Sequence, residues 1–130
     1  MAHVSPEMFQ ERARIMKALA HPSRLMMVDE LSRGERCVCD LTEMVGADIS
    51  TVSKHLSILK SARLVEGRKD GRWNHYQLSR ESRFPVQSKL VELVIESIAD
   101  SKQAVADSCA LAKIREQDMD ELCRKIAKKD

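Results

Sequence analysis

Apolar side chains recur at helical spacing almost from the start of the chain. Ser5-Pro6-Glu7 supplies a capping hydroxyl, a proline suited to the first helical position and an acid near the positive end of the helix dipole. Phe9, Ala13, Met16, Leu19 and Ala20 then mark the apolar stripe of a first helix. His21-Pro22 interrupts it. A short second helix is expected from Ser23 to Leu31, with Leu25, Met26, Val28 and Leu31 available for burial and Ser32-Arg33-Gly34 as its end. Asp40 is placed to cap a third helix carrying Leu41, Met44 and Val45, Gly46 to close it, and Asp48 to cap a fourth. In that fourth segment Ile49, Val52, Leu56 and Leu59 share one side, while Ser50, Ser53, Lys54, Ser57 and Ser61 lie opposite. A short helix, a glycine turn and a second helix with small hydrogen-bonding residues facing outward form the pattern of a helix-turn-helix, whose second helix enters a DNA major groove.

The period then shortens. Leu64 to Arg68 and Trp73 to Leu78 read as two strands joined across Lys69-Asp70-Gly71-Arg72, where Asp-Gly favours a tight turn. Such a hairpin is a wing, and Arg68, Lys69 and Arg72 make its tip cationic. From Pro85 the helical pattern returns, with Val86, Leu90, Leu93, Val94 and Ile98 in a stripe that a small domain covers poorly. Either a partner subunit or the chain's own first helix can bury it, and two-fold readers of DNA need a dimer contact. Asp118 is placed to cap a last short helix with Leu122, Cys123 and Ile126, or the long helix simply continues. The methionines, Met8, Met16, Met26, Met27 and Met44 among them, read as core filler. The expected fold class is mainly α, an α+β winged helix-turn-helix with about five to six helices and a two-stranded β-hairpin, homodimeric. It forms one domain over 1–130, with the helix-turn-helix at about 40–62, the wing at about 64–78 and dimerisation helices at about 5–20 and 85–115.

A length of 130 residues suits one core. With 3% aromatic residues, that core falls to Leu, Val, Ile and Met. No run approaches the roughly 18–20 apolar residues that cross a bilayer, and Met1-Ala2-His3-Val4 lacks the form of a signal segment, so a cytoplasmic protein without a membrane partner is expected. In that reducing setting Cys37, Cys39, Cys109 and Cys123 are expected as thiols or metal ligands. The formal charge of +2 is uneven: residues 54–83 hold eight Lys or Arg against Glu66, Asp70 and Glu81, a local +5 that leaves −3 for the rest. A basic segment in an otherwise acidic chain is the footprint of a phosphate-binding face. No nucleophile with a paired base, Gly-rich phosphate loop or carboxylate pair stands out, so no enzyme is expected.

Candidate chemistry concentrates in Cys37-Val38-Cys39-Asp40. Residues i and i+2 of a regular helix point about 200° apart, so two buried helical cysteines here would need unusual surroundings, whereas an irregular helix entry lets both sulfurs turn to one soft ion.

Ala18-Leu19-Ala20-His21-Pro22-Ser23-Arg24-Leu25, Cys37-Val38-Cys39-Asp40-Leu41, Ser50-Thr51-Val52-Ser53-Lys54-His55-Leu56 and Gly71 to Leu78, in this order, resemble the ArsR/SmtB family of metalloregulatory repressors over about residues 8 to 100. The resemblance implies a winged-helix homodimer on double-stranded operator DNA, released when an inducer binds. Ser50, Thr51, Ser53 and His55 would then contact base edges or position the helix, and Lys54, Lys60, Arg68, Lys69 and Arg72 would neutralise phosphates. The Cys-Val-Cys-Asp run resembles the site of the arsenic-sensing type, which implies arsenite or antimonite as inducer, with cadmium or lead as the alternative. The chain departs from that pattern in carrying Thr42 where arsenic sensors place a third cysteine, which leaves Cys109 or Cys123 as further ligands. The zinc-sensing branch uses histidines on the C-terminal helix, and this chain has only His3, His21, His55 and His75. Two rivals stay open: a thiol redox switch on the same fold, and a thiol-rich metal-sequestering or protein-interaction module.

Overall fold

Three helices of the computed structural model, which describes residues 5–114, begin at proline, the one residue that loses nothing by lacking an N–H in a first turn: α1 (Pro6–Leu19), α2 (Pro22–Leu31) and α5 (Pro85–Ile114). Between α2 and α5 run β1 (Arg36–Cys37), α3 (Val38–Val45), α4 (Ile49–Ser61), β2 (Val65–Asp70) and β3 (Trp73–Leu78). The described residues thus form five helices and one antiparallel sheet of order β1-β3-β2, a winged helix-turn-helix. The sheet has a strand more than the expected hairpin, because β1 pairs Arg36 with Tyr76 and Cys37 with His75. Two residues are too few to show alternation, so only the partner strand reveals them.

The chain separates into two compact units, one up to Leu93 and one from Val94 onward. The first is built around Ile15 and Leu19 of α1, Met27, Val28 and Leu31 of α2, Leu41 of α3, Val52, Leu56 and Leu59 of α4, and Leu64 and Val65 leading into β2, all buried. Burying each such side chain contributes roughly 1.5–3 kcal/mol. In the second unit Ser97 Oγ donates to Val94 O at 2.7 Å and Ser101 Oγ to Ser97 O at 3.1 Å, within α5. The expected last short helix lies outside the described residues.

Several expectations need correction. The stripe read for α1 faces water: Phe9 is 66% and Met16 57% exposed, Ala13 and Ala20 are exposed, and Ile15 and Ala18 join Leu19 in the core instead. Met27, not Met26, fills the core from α2. Met8 is exposed too, so core filling is a poor account of these methionines. The cap of α3 is Cys37, whose Sγ accepts from Asp40 N at 3.4 Å, and Asp40 sits in the first turn. Gly46, at φ 76°, closes α3, and Asp48 caps α4, as expected.

The wing turn consists of Gly71 and Arg72 rather than Asp70-Gly71, since Asp70 pairs with Trp73. Gly71 has φ 61° and Arg72 stays at negative φ, the pattern of a type II′ turn with glycine first. Trp73 is 56% exposed, whereas Tyr76 lies over Gly67, where an added Cβ would come within 3.0 Å of its ring. At the end of α4, Leu64 N donates to Leu59 O and Arg63 N to Lys60 O, both at 3.0 Å, which is a Schellman closure. Its left-handed position, usually glycine, is held by Arg63 at φ 63°. An L residue there costs roughly 1–2 kcal/mol.

Candidate nucleic-acid interface and thiol site

Helix α4 is set by its two faces. Val52, Leu56 and Leu59 are completely buried and lock one side to the core, which turns Ser50, Thr51, Ser53, Lys54, Ser57 and Lys60 to solvent. At its start Asp48 Oδ1 accepts from Thr51 N at 2.7 Å and from Ser50 Oγ at 3.0 Å. The Thr51 backbone N–H, with help from Thr51 and Ser50 side chains, holds the Asp48 carboxyl below the usual carboxylate range. Ser50 is thereby committed to the cap. On the wing, Lys69 and Arg72 are exposed, and among the described residues neither faces a carboxylate partner.

His55 points elsewhere. Its ring lies 4.4 Å from the His21 ring, and its Nδ1 accepts from Arg24 Nη1 at 3.1 Å. Arg24 also donates Nε to Ala18 O at 2.5 Å and Nη2 to Lys17 O at 3.3 Å, bonding carbonyls of the last turn of α1, of which Lys17 O also accepts from Ala20 N. His21 caps α2, its Nδ1 accepting from Ser23 N at 3.1 Å. One arginine therefore joins the end of α1, the body of α2 and the middle of α4. Partial burial, then the neighbouring His21 and Arg24, push the His55 pKa down, consistent with a neutral ring that accepts at Nδ1.

The thiols sit where strand becomes helix. Cys37 ends β1 in an extended conformation and is half-buried, while Cys39, in the first turn of α3, is exposed. The entry to α3 is thus irregular between them. Thr42 Oγ1, at the position of the missing third thiol, donates to Val38 O at 2.7 Å. Cys37 and Arg68 are both register partners of His75, so the three share one row and one face of the sheet. Glu35, just before β1, accepts from Arg68 Nη2 at 2.6 Å and Nε at 3.0 Å and lies 3.5 Å from His75 Nδ1. The Arg68 hydrogen bond holds the Glu35 carboxyl low, and Glu35 raises Arg68 in turn. Arg68 is thus tied back to the thiol-bearing segment, not free at the wing tip.

The side chain of Cys109, on α5, and the whole of Cys123 lie outside the described residues, so Cys37 and Cys39 are the described thiols. Among the described residues no three of His, Cys, Asp and Glu are placed to hold one ion. Sequence reading missed Arg24, His21 and Glu35. The first two lie within the Ala-His-Pro-Ser-Arg run, but the partner of Arg24 is 31 positions away. Among the described residues no helix is long and apolar enough to cross a membrane.

Residues 21–67 match the model of the bacterial regulatory protein arsR family. The chain is 39% identical over 82 residues to the arsenical resistance operon repressor of Bacillus subtilis, covering 62% of this chain and 78% of that one. The homodimeric winged helix-turn-helix DNA-binding domain Mb0332 from Mycobacterium bovis, a possible ArsR-family transcriptional regulator, superposes with a TM-score of 0.63 at 35% identity over 77% of this chain and 91% of that one. The antimony-specific transcriptional repressor AntR superposes with a TM-score of 0.62 at 27% identity, over 79% and 90%. With the helix-turn-helix, the wing and these relatives together, the chain belongs to the ArsR family of DNA-binding transcriptional regulators.

Proposed function

We propose that this chain is a homodimeric repressor that leaves its operator when Cys37 and Cys39 take up arsenite or antimonite. The observation that carries the reading is the double role of Cys37, which caps α3 with its sulfur and is strand-paired to His75 of the wing. A thiol ligand there cannot change partner without disturbing both parts of the reading head. Two thiols across an irregular helix entry suit a soft, thiophilic ion. Thr42 is bonded to the backbone, so a third donor is sought in Cys109 or Cys123 of either subunit. The arsenical and antimony repressors named above favour the metalloid, with cadmium or lead as the alternative inducer class.

On DNA, α4 of each subunit lies in successive major grooves. Thr51 and Ser53 face the bases, Ser50 positions the first turn through Asp48, Lys54, Lys60, Lys69 and Arg72 neutralise phosphates, and His55 positions the helix through Arg24. Arg68 reaches phosphate only when Glu35 releases it. The dimer contact falls to the apolar side chains that the first unit leaves exposed, Phe9 and Met16 on α1 and Leu93 on α5. The homodimeric relative supports the dimer, and the exposed apolar side chains support its location. Coupling of about 1–3 kcal/mol between thiol site and reading head would weaken DNA binding roughly 5- to 150-fold.

Fluorescence anisotropy of the reduced protein on a fragment of its own promoter tests this, with anaerobic arsenite and cadmium titrations. Release at near-stoichiometric arsenite, abolished by Cys37→Ser or Cys39→Ser with DNA binding intact, is expected. Tight binding that ignores both ions and yields to an oxidant would replace the metalloid with a redox switch. Absence of salt-dependent promoter binding would favour the protein-interaction module.

A further inference from the structure

A cavity of about 320 Å³ lies beneath the wing, and of its lining residues the proposed mechanism uses Lys60 and Arg68 but not Arg63, Ser79, Arg83 or Phe84. Its wall carries Lys60 from the last turn of α4, Arg63 from the closure that follows, Arg68 from β2 and Arg83 from the segment before α5, against one lining carboxylate, Glu66. Glu66 meets only Arg83, at 3.4 Å, and Arg68 is held by Glu35. Lys60 and Arg63 have no carboxylate partner among the described residues. Phe84 lines the same cavity with the guanidinium carbons of Arg83 and Arg63 at 5.5 and 5.9 Å from its ring centre, so both cations are held against an aromatic face. Ser79, also lining it, has a buried Oγ without a hydrogen-bond partner among the described residues.

Arg63 is the one described residue other than glycine with positive φ. Glycine would close α4 there without strain, and side chains in such conformations cluster at functional sites. The lining cations are exposed, and a charge excess in a concave space, with planar forks that match phosphate oxygens, suits a phosphoryl group arriving from solvent.

We propose that this cavity binds a phosphoryl group, with Arg63, Lys60 and Arg83 as its cationic ligands and Ser79 Oγ as a hydroxyl donor once its side chain turns inward. The group belongs to a free small phosphorylated anion acting as a second effector, and use of the same cations on the backbone of bound DNA is the competing outcome.

The test uses the full chain, pyrophosphate as probe and sodium chloride at matched ionic strength as control. Amide and arginine Nε NMR signals are followed alongside anisotropy on duplex DNA. Arg63→Gly removes the guanidinium and relieves the backbone, so it should fold at least as well as the parent. Arg83→Gln changes a group that is mostly exposed. Saturable pyrophosphate shifts at cavity residues, weakened at least tenfold by Arg63→Gly while duplex affinity stays unchanged, would establish the free anion. If Arg63→Gly instead weakens duplex binding and lowers its salt slope by about one, without saturable pyrophosphate shifts, the cations serve DNA contact and the effector site is overturned. Shifts that follow ionic strength alone, with both variants like the parent on DNA, would overturn the site.

Discussion

Helices α4 and α1 begin alike, each with an amphipathic stripe legible in the chain, and end differently. Val52, Leu56 and Leu59 of the α4 stripe are at 0% exposure and Ile49, in its first turn, is 57% exposed, whereas Phe9 and Met16 of α1 stand in solvent. Only α1's other side, through Ile15, Ala18 and Leu19, enters the core. The contrast separates two uses of apolar surface. The protomer needs α4 fixed in angle and depth, since a reading helix that rocks loses its register with bases. From α1 it needs one side for itself, and the other is the face proposed above for a second copy.

The largest effect should come from Leu56→Ala. A fully buried leucine on α4 leaves a cavity, and the unfolding free energy measured in urea should fall by about 2–5 kcal/mol. A much smaller loss would mean that α4 is not locked by its apolar face. Asp48→Ala removes the cap of the same helix and should lower the melting temperature by less than Leu56→Ala does, with weaker DNA binding because the first turn carrying Ser50 and Thr51 frays.

Acid should act on α4 more gently, through His55. Its folded pKa lies below the ordinary 6.5, so between the two values the unfolded chain binds a proton that the folded chain refuses. Stability is therefore full above about pH 6.5 and falls as pH drops below it. Protonation at Nδ1 also ends acceptance from Arg24. His55→Gln should flatten the slope of stability between pH 5 and 7 in denaturant titrations, and an unchanged slope would assign it to other groups. The smallest effect on the protomer is expected from Phe9→Ser combined with Met16→Ser. Helical content by circular dichroism should stay at the parent level while sedimentation shows a monomer and operator affinity collapses. Loss of the fold itself would show that α1's outer stripe serves the protomer after all.

The elements were largely readable because their signals are local. Prolines at helix starts, Gly46 after α3 and Asp48 before α4 each act within four residues, and the period of the apolar residues separates helix from wing. The reading failed where distance in sequence mattered. It chose the wrong stripe for α1, since Phe9 and Ile15 are equally apolar and only neighbours decide which one is covered. It did not reveal that Arg68 and His55 are engaged by Glu35 and Arg24, partners 33 and 31 positions away. It also credited Asp40 with a cap that the Cys37 sulfur makes, because sulfur is a weak acceptor that propensities do not favour.

The chain alone thus determined the order of the helices and the two wing strands, the basic segment and the two thiols at a helix entry, all consequences of local conformational preference and side-chain period. Tertiary structure decided which apolar face is left open, which cations are already engaged, and that Cys37 is stitched to the wing through β1. Those outcomes depend on groups brought together from distant positions, where burial and pairing are set by packing geometry that no single segment encodes.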